Sequence, residues 1–276
     1  MALDTNLTDK TAIITGGSKG IGLETAKIML REGMNVVLVA RNKNLLETRL
    51  EELGKNNQQI RIFPCDLTIS KSAEEISQFC LSEFKKIDVL INCAGSATGG
   101  VFSEILDDEW KAAFDLKFFG TIRMIKSVIP YMKNQNDGRI VNVIGDTGRQ
   151  PNKLMLPGSS VNAALLACTI GLANEIGEYG IRINAISPGP TKTERIVKMF
   201  NSLAIATNKS VQEIEAEFLK ENIIKKLCEP KDIAELILYL ASDISKNITG
   251  TEIKSDGGRS KFIWLTQESP SASQMI

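Results

Sequence analysis

Thr11-Ala12-Ile13-Ile14-Thr15 runs directly into Gly16-Gly17-Ser18-Lys19-Gly20-Ile21-Gly22, and the joint between the two decides the fold. The first five residues read as a short strand. The glycines permit a tight turn and close approach of backbone to a ligand. From Ile21 to about Glu32 the chain reads as a helix. A helix that opens on such a turn presents unpaired N–H groups and the positive end of its dipole, a natural seat for phosphate. A Gly-rich turn alone says little. One set between a strand and a helix at the start of an alternating chain says a great deal.

The alternation continues outward. Strands are expected at Asn35–Ala40, Gln59–Pro64, Asp88–Ile91, Arg139–Ile144, Arg182–Ser187 and Thr251–Ser255. Helices are expected at about 44–54, 70–85, 107–132, 160–179 and 231–242, the long one at 107–132 carrying an apolar stripe of Phe114, Phe118, Ile122, Ile125 and Ile129. The strands are almost continuously apolar, as they must be when helices cover both faces of a parallel sheet. The expected fold is therefore α/β: a doubly wound, Rossmann-like parallel sheet of about seven strands in three αβα layers. Composition shifts nowhere along the chain, so residues 1–264 are read as one domain, with a polar, loose tail at 265–276.

The 276 residues are 43% hydrophobic, and 33 basic residues balance 33 acidic ones. That balance offers no reason to expect nucleic acid or a membrane surface as partner. No apolar run is expected to reach the roughly 20 residues that span a bilayer, and the N-terminus lacks the pattern of a secretory signal, so a cytoplasmic protein is expected. Five dispersed cysteines without a CxxC pair read as reduced thiols. There is no histidine, which removes the commonest general base and metal ligand. No metal site is expected.

The spacing G-x3-G-x-G resembles that of the short-chain dehydrogenase/reductase family, and further landmarks agree. Cys65-Asp66-Leu67 resembles the family's adenine-contacting segment, Asn92-Cys93-Ala94-Gly95 its NNAG motif, Ser187-Pro188-Gly189-Pro190-Thr191 its PG loop and Asp256-Gly257-Gly258 its terminal DGG. The likeness runs from about residue 8 to 260. It implies a nicotinamide dinucleotide bound by Gly16, Ser18, Lys19, Gly20, Ile21, Gly22, Asp66, Leu67, Asn92, Ala94, Gly95, Asn162, Pro188, Gly189, Thr191 and Thr193. Where NAD enzymes place an acid after the second strand, this chain has Ala40-Arg41-Asn42. Arg41, with Asn42 and Lys19 nearby, suits a 2′-phosphate, so NADP is expected over NAD. A homodimer or homotetramer and a small-molecule substrate are implied by the resemblance alone.

The family's Asn–Ser–Tyr–Lys set falls on Lys117, Gly145, Gly158 and Asn162. The proton chemistry must then come from elsewhere. Lys117, among Phe114, Leu116 and Phe118, is expected to have a depressed pKa suited to proton transfer. Asp146, at the end of the fifth strand, can pair with it. Thr147, Arg149 and Lys153 in the same loop can bind an anionic substrate. Residues 193–222 occupy the place of the family's substrate-covering lid, with Met199, Phe200 and Leu203 available to line a pocket. Three readings stand: an NADP-dependent oxidoreductase of carbonyl/alcohol or enoyl substrates with a non-standard site, a nucleotide-binding sensor or partner subunit without turnover, and a lyase or isomerase using Lys117.

Overall fold

The computed structural model describes residues 4–54, 57–96 and 99–260. The expected tail at 265–276 lies outside them. Seven strands form one sheet: β1 (Thr11–Thr15), β2 (Asn35–Ala40), β3 (Ile60–Pro64), β4 (Val89–Asn92), β5 (Gly138–Val143), β6 (Ile181–Pro188) and β7 (Glu252–Ser255). Their order is β3-β2-β1-β4-β5-β6-β7, and every pairing is parallel. The helices are α1 (Gly20–Arg31), α2 (Lys43–Glu52), α3 (Ser72–Phe84), α4 (Asp107–Ala113), α5 (Gly120–Gln135), α6 (Leu156–Ile176), α7 (Glu194–Thr207), α8 (Val211–Phe218) and α9 (Pro230–Ala241).

Strand side chains point alternately to the two faces, and the core divides accordingly. Ile14, Leu38, Ile91, Val141 and Ile186 pack with Ala26 and Met29 of α1, Leu46 of α2 and Ile233 and Ile237 of α9. Their neighbours Ile13, Val37, Leu90, Ile140 and Ile183 pack on the other face with Ile76 of α3 and Met124, Ile125, Val128 and Met132 of α5. Both faces are dry, which is why the strands carry no polar alternation. The chain crosses from one side of the sheet to the other between β3 and β4. The connections leaving the C-terminal ends of the paired strands β1 and β4 therefore run to opposite faces, and the crevice between them is where ligands bind in such sheets.

The expected helix at 107–132 is interrupted. Phe114–Phe119 winds as a π-helix between α4 and α5. A π turn inserts extra residues per turn and rotates the phase of the next helix. The expected single stripe consequently splits. Phe114 and Phe118 pack against Val161, Leu165 and Leu166 of α6, whereas Ile125 joins the sheet core and Ile129 lies at its edge. The membrane expectation also needs correction: Leu156–Tyr179 is long and apolar enough to cross a bilayer. Here α6 packs along β6 and the loop after β5. The lid segment forms α7 and α8, which share a small core of Phe200, Ala204, Ile214 and Leu219.

Leu38 has no solvent exposure and stands on the face covered by α1 and α2. Leu38→Ala is expected to cost about 2–5 kcal/mol, read as a lower urea midpoint at an unchanged m-value.

Candidate active site

The β1–α1 turn is built for close backbone approach. Gly16 and Gly20 have φ of +67° and +54°, and a Cβ on Gly16 would stand 2.9 Å from the backbone of Cys93 and Ala94. The Gly17 N–H donates to Val39 O at 3.1 Å, pinning the turn to β2. Lys19 is the N-cap of α1, makes no side-chain cap, and no acid lies in the first turn. No side chain of the helix itself therefore caps the N–H groups at this helix start. Donors and dipole together fit an anion such as a pyrophosphate.

Several residues expected to touch the nucleotide have other partners. Lys19 Nζ is paired with Glu194 at the start of α7, 2.7 Å away. Asn42 caps α2, its Oδ1 accepting from Leu45 N–H at 2.9 Å. Asn92 is buried and donates through Nδ2 to Asn142 Oδ1 at 2.9 Å, and Asn142 donates in turn to Thr169. It braces β4 against β5. Leu67 is buried in the core, and its carbonyl accepts from Arg123. Asp66 accepts from the Thr68 backbone and hydroxyl. Those bonds, the backbone one foremost, hold its carboxyl below the usual range, with Arg41 adding to the effect. Arg41 itself is exposed at the end of β2. A residue the sequence reading missed, Arg49 of α2, donates from Nε to Ser18 O at 3.1 Å and steadies the turn.

The crevice deepens into a cavity of about 380 Å³. One wall is Ile21, Pro188, Gly189, Thr191 and Thr193. The floor is Cys93, Gly95, Lys117, Gly145, Gly158 and Asn162, and the lid side is Ile196, Met199 and Phe218. Of the expected lid residues only Met199 faces it. Phe200 is buried within the lid's own core and Leu203 is largely exposed. Ile21 of the turn, Lys117, Asp146 and the loop after β6 line this one cavity.

Lys117 emerges from the π turn, and its stem lies across Gly95, where a Cβ would stand 2.7 Å from Lys117 Cδ. Its Nζ donates to Ile144 O at 2.5 Å and to Asn162 Oδ1 at 2.6 Å. Asn162 passes the chain on, donating from Nδ2 to Thr147 Oγ1 at 3.0 Å. Burial foremost, with the charge of Arg195 acting the same way and Cys93 opposing, brings the Lys117 pKa down to about 8. Burial pushes the Cys93 thiol up to about 12, so it stays protonated. An ammonium has three donors. Two are committed, leaving one for the cavity.

The expected Lys117–Asp146 pair is not formed. Asp146 lines the same cavity but faces Arg259 Nε at 3.7 Å. Its carboxyl is raised, chiefly by burial, against the opposing charge of Arg259. Arg149 is committed to an ion pair with Glu252 of β7. Lys153 is exposed beside a neighbouring cavity. Arg195 and Arg259, both lining the main cavity, were missed. The hint available was Arg259 directly after Asp256-Gly257-Gly258, in a loop whose two glycines have positive φ.

Gly145 has φ +135° and ψ 147°, a region essentially closed to other residues, and a Cβ there would meet Asn162 Nδ2 at 2.9 Å. Gly145→Ala is expected to cost about 1–3 kcal/mol, measured by urea denaturation.

Known proteins resemble the chain along most of its length. It is 34% identical over 252 residues to the 2,3-dihydro-2,3-dihydroxybenzoate dehydrogenase of Bacillus subtilis, covering 90% of this chain and 95% of that one. It is 33% identical over 257 residues to the (S)-acetoin-forming diacetyl reductase of Staphylococcus epidermidis, covering 90% and 98%. Among solved structures, L-sorbose reductase from Gluconobacter frateurii, complexed with NADPH and L-sorbose, superposes with a TM-score of 0.90 at 25% identity, covering 95% of this chain and all of that one. Residues 10–203 match the family described as short chain dehydrogenase, and the chain belongs to that family.

Proposed function

We propose that the protein is an NADP(H)-dependent oxidoreductase acting on a carbonyl/alcohol pair, with Lys117 as its proton donor and acceptor. The observation that carries this reading is the Lys117 ammonium, held between Ile144 O and Asn162 Oδ1 on the floor of the cavity. Relatives named as a reductase and a dehydrogenase, and a structural neighbour holding NADPH, support the reaction class.

The site is atypical on this reading. The positions of the family's Asn–Ser–Tyr–Lys set carry Lys117, Gly145, Gly158 and Asn162. The amide and the amine have exchanged places, and they touch at 2.6 Å. A lysine–amide pair is therefore retained, while the serine and tyrosine hydroxyls are gone. Asn162 acts as a positioning residue that aims Nζ. The residue that gives up the proton is the lysine itself, whose depressed pKa lies near physiological pH, where acid–base catalysis is most effective.

The chain fits NADP(H). The uncapped start of α1 receives the pyrophosphate, Arg41 the 2′-phosphate, and Thr191 and Thr193 the nicotinamide end. When bound, the dinucleotide supplies or accepts the hydride. Lys117 supplies the proton to the carbonyl oxygen during reduction through its third, uncommitted donor. Lys19 takes no phosphate role unless it first leaves Glu194.

Two measurements test the reading. In the reduction direction Lys117 must be protonated. Its proton is present below about pH 8 and lost above, so kcat/KM should fall about tenfold per pH unit on that side. Lys117→Met should lower kcat by about 10²–10⁴-fold and flatten the profile; a variant that keeps the wild-type profile overturns the assignment. Separately, Arg41→Ala should weaken NADPH by about 10–100-fold while leaving NADH unchanged, since a charged hydrogen bond is worth about 1.5–3 kcal/mol. Tight NADPH binding without oxidation by any of a panel of ketones, aldehydes and enoyl compounds would instead support a nucleotide-binding protein without turnover.

A further inference from the structure

The cavity is unevenly charged. Lys117, Arg195 and Arg259 line it, against a single carboxylate, Asp146. Arg259 is the informative member. Only 15% of its side chain is exposed, and its guanidinium stacks on the Phe218 ring of α8, 5.2 Å from the centroid. Its Nε stands 3.7 Å from an Asp146 oxygen and 3.3 Å from a Glu221 oxygen. Among the described residues its guanidinium donates no hydrogen bond. The other largely buried arginines differ. Arg139 donates to Asp137 and Asp243, and Arg182 donates to three backbone carbonyls and a serine hydroxyl. Arg259 is thus a planar fork held by stacking and two ion pairs, its N–H donors free of hydrogen bonds among the described residues. It stands on a wall shared by the main cavity and a neighbouring one of about 420 Å³.

A guanidinium held this way is suited to a carboxylate, which it meets with two parallel N–H···O bonds. On the lid wall Ile196, Met199 and Phe218 form an apolar stretch that can pack against an aliphatic or aromatic body. We propose that the substrate is an oxo acid or its hydroxy acid, with its carboxylate received by Arg259 and its carbonyl presented to Lys117. This rests on the oxidoreductase reading for the fate of the carbonyl but not for the binding of the carboxylate. The carboxylate takes no part in bond making. Arg259 is a specificity residue, and its partners Asp146 and Glu221 keep the free guanidinium from being an unpaired buried charge.

The test uses benzoylformate and its methyl ester, which differ in charge and little in shape. Each is titrated calorimetrically into NADP+-loaded wild-type protein, Arg259→Gln and Arg259→Lys, with melting temperatures measured alongside. The acid should bind at least tenfold tighter than the ester to the wild type. Arg259→Gln should erase that preference by weakening the acid about 10–100-fold with the ester unchanged, and Arg259→Lys should recover part of it. Equal affinity for acid and ester on the wild type, including binding of neither at millimolar concentration, overturns the proposal. So does an Arg259→Gln variant that melts lower yet keeps the acid-over-ester preference. NADPH oxidation by the ester with no preference for the acid would leave the oxidoreductase standing and remove the carboxylate site. Arg259-dependent binding of the acid with no NADPH oxidation would do the reverse.

Discussion

The register of a parallel ladder sets every distance in the site. Thr15 stands opposite Asn92, Asn92 opposite Asn142, and Asn142 opposite Ala185. The loops that leave these four strands carry the phosphate turn, Gly95, Gly145 and the Pro188–Thr193 segment, so the strand ends place them side by side. A slip of one residue in a strand would exchange the side chains it presents to the two buried faces. The buried amide pair Asn92–Asn142, continued to Thr169, adds a polar pin to the register. Asn92 Nδ2 and Asn142 Nδ2 each find an acceptor on the next element, while Asn92 Oδ1 is buried without a partner among the described residues.

Around Lys117 the packing is mutually conditional. The lysine stem needs a glycine at 95, and the Asn162 amide needs one at 145. Gly148 is a third, since a Cβ there would meet Asn162 Cβ at 2.9 Å. The π turn that releases Lys117 toward the cavity also sends Phe114 and Phe118 onto α6, which carries Asn162. Lysine, amide, glycines and π turn form one packed unit. Reverting a single position toward a bulkier side chain meets steric resistance, which is why the departures at these positions occur together on the proposed reading.

The lid belongs to the same unit through charge as well as packing. Glu194 at its start holds Lys19 of the phosphate turn, and Phe218 near its end carries the Arg259 guanidinium. The exposed Lys19–Glu194 pair is a weak tie in water, one that a bound phosphate can break by offering Lys19 a stronger partner. The Arg259 stack is largely dry and is the firmer contact.

By itself the sequence determined the layered α/β fold, the phosphate turn, the strand ends that build the site and the position of Lys117. All of these are local pattern: apolar runs, glycine placement and spacing along one chain. Partners were decided only by the tertiary structure, because a side chain's role depends on the neighbours that the fold sets beside it. Lys19, Asn42, Asn92 and Arg149 each found a neighbour that no spacing rule predicts: a lid glutamate, a helix N–H, an amide on the next strand and a β7 carboxylate. Asp146 and Lys117, read as a pair, were parted because Arg259 approaches one and Asn162 the other. Arg259 comes from the far end of the chain, 113 positions beyond Asp146. Only the closing of β7 onto β6 brings it to the cavity.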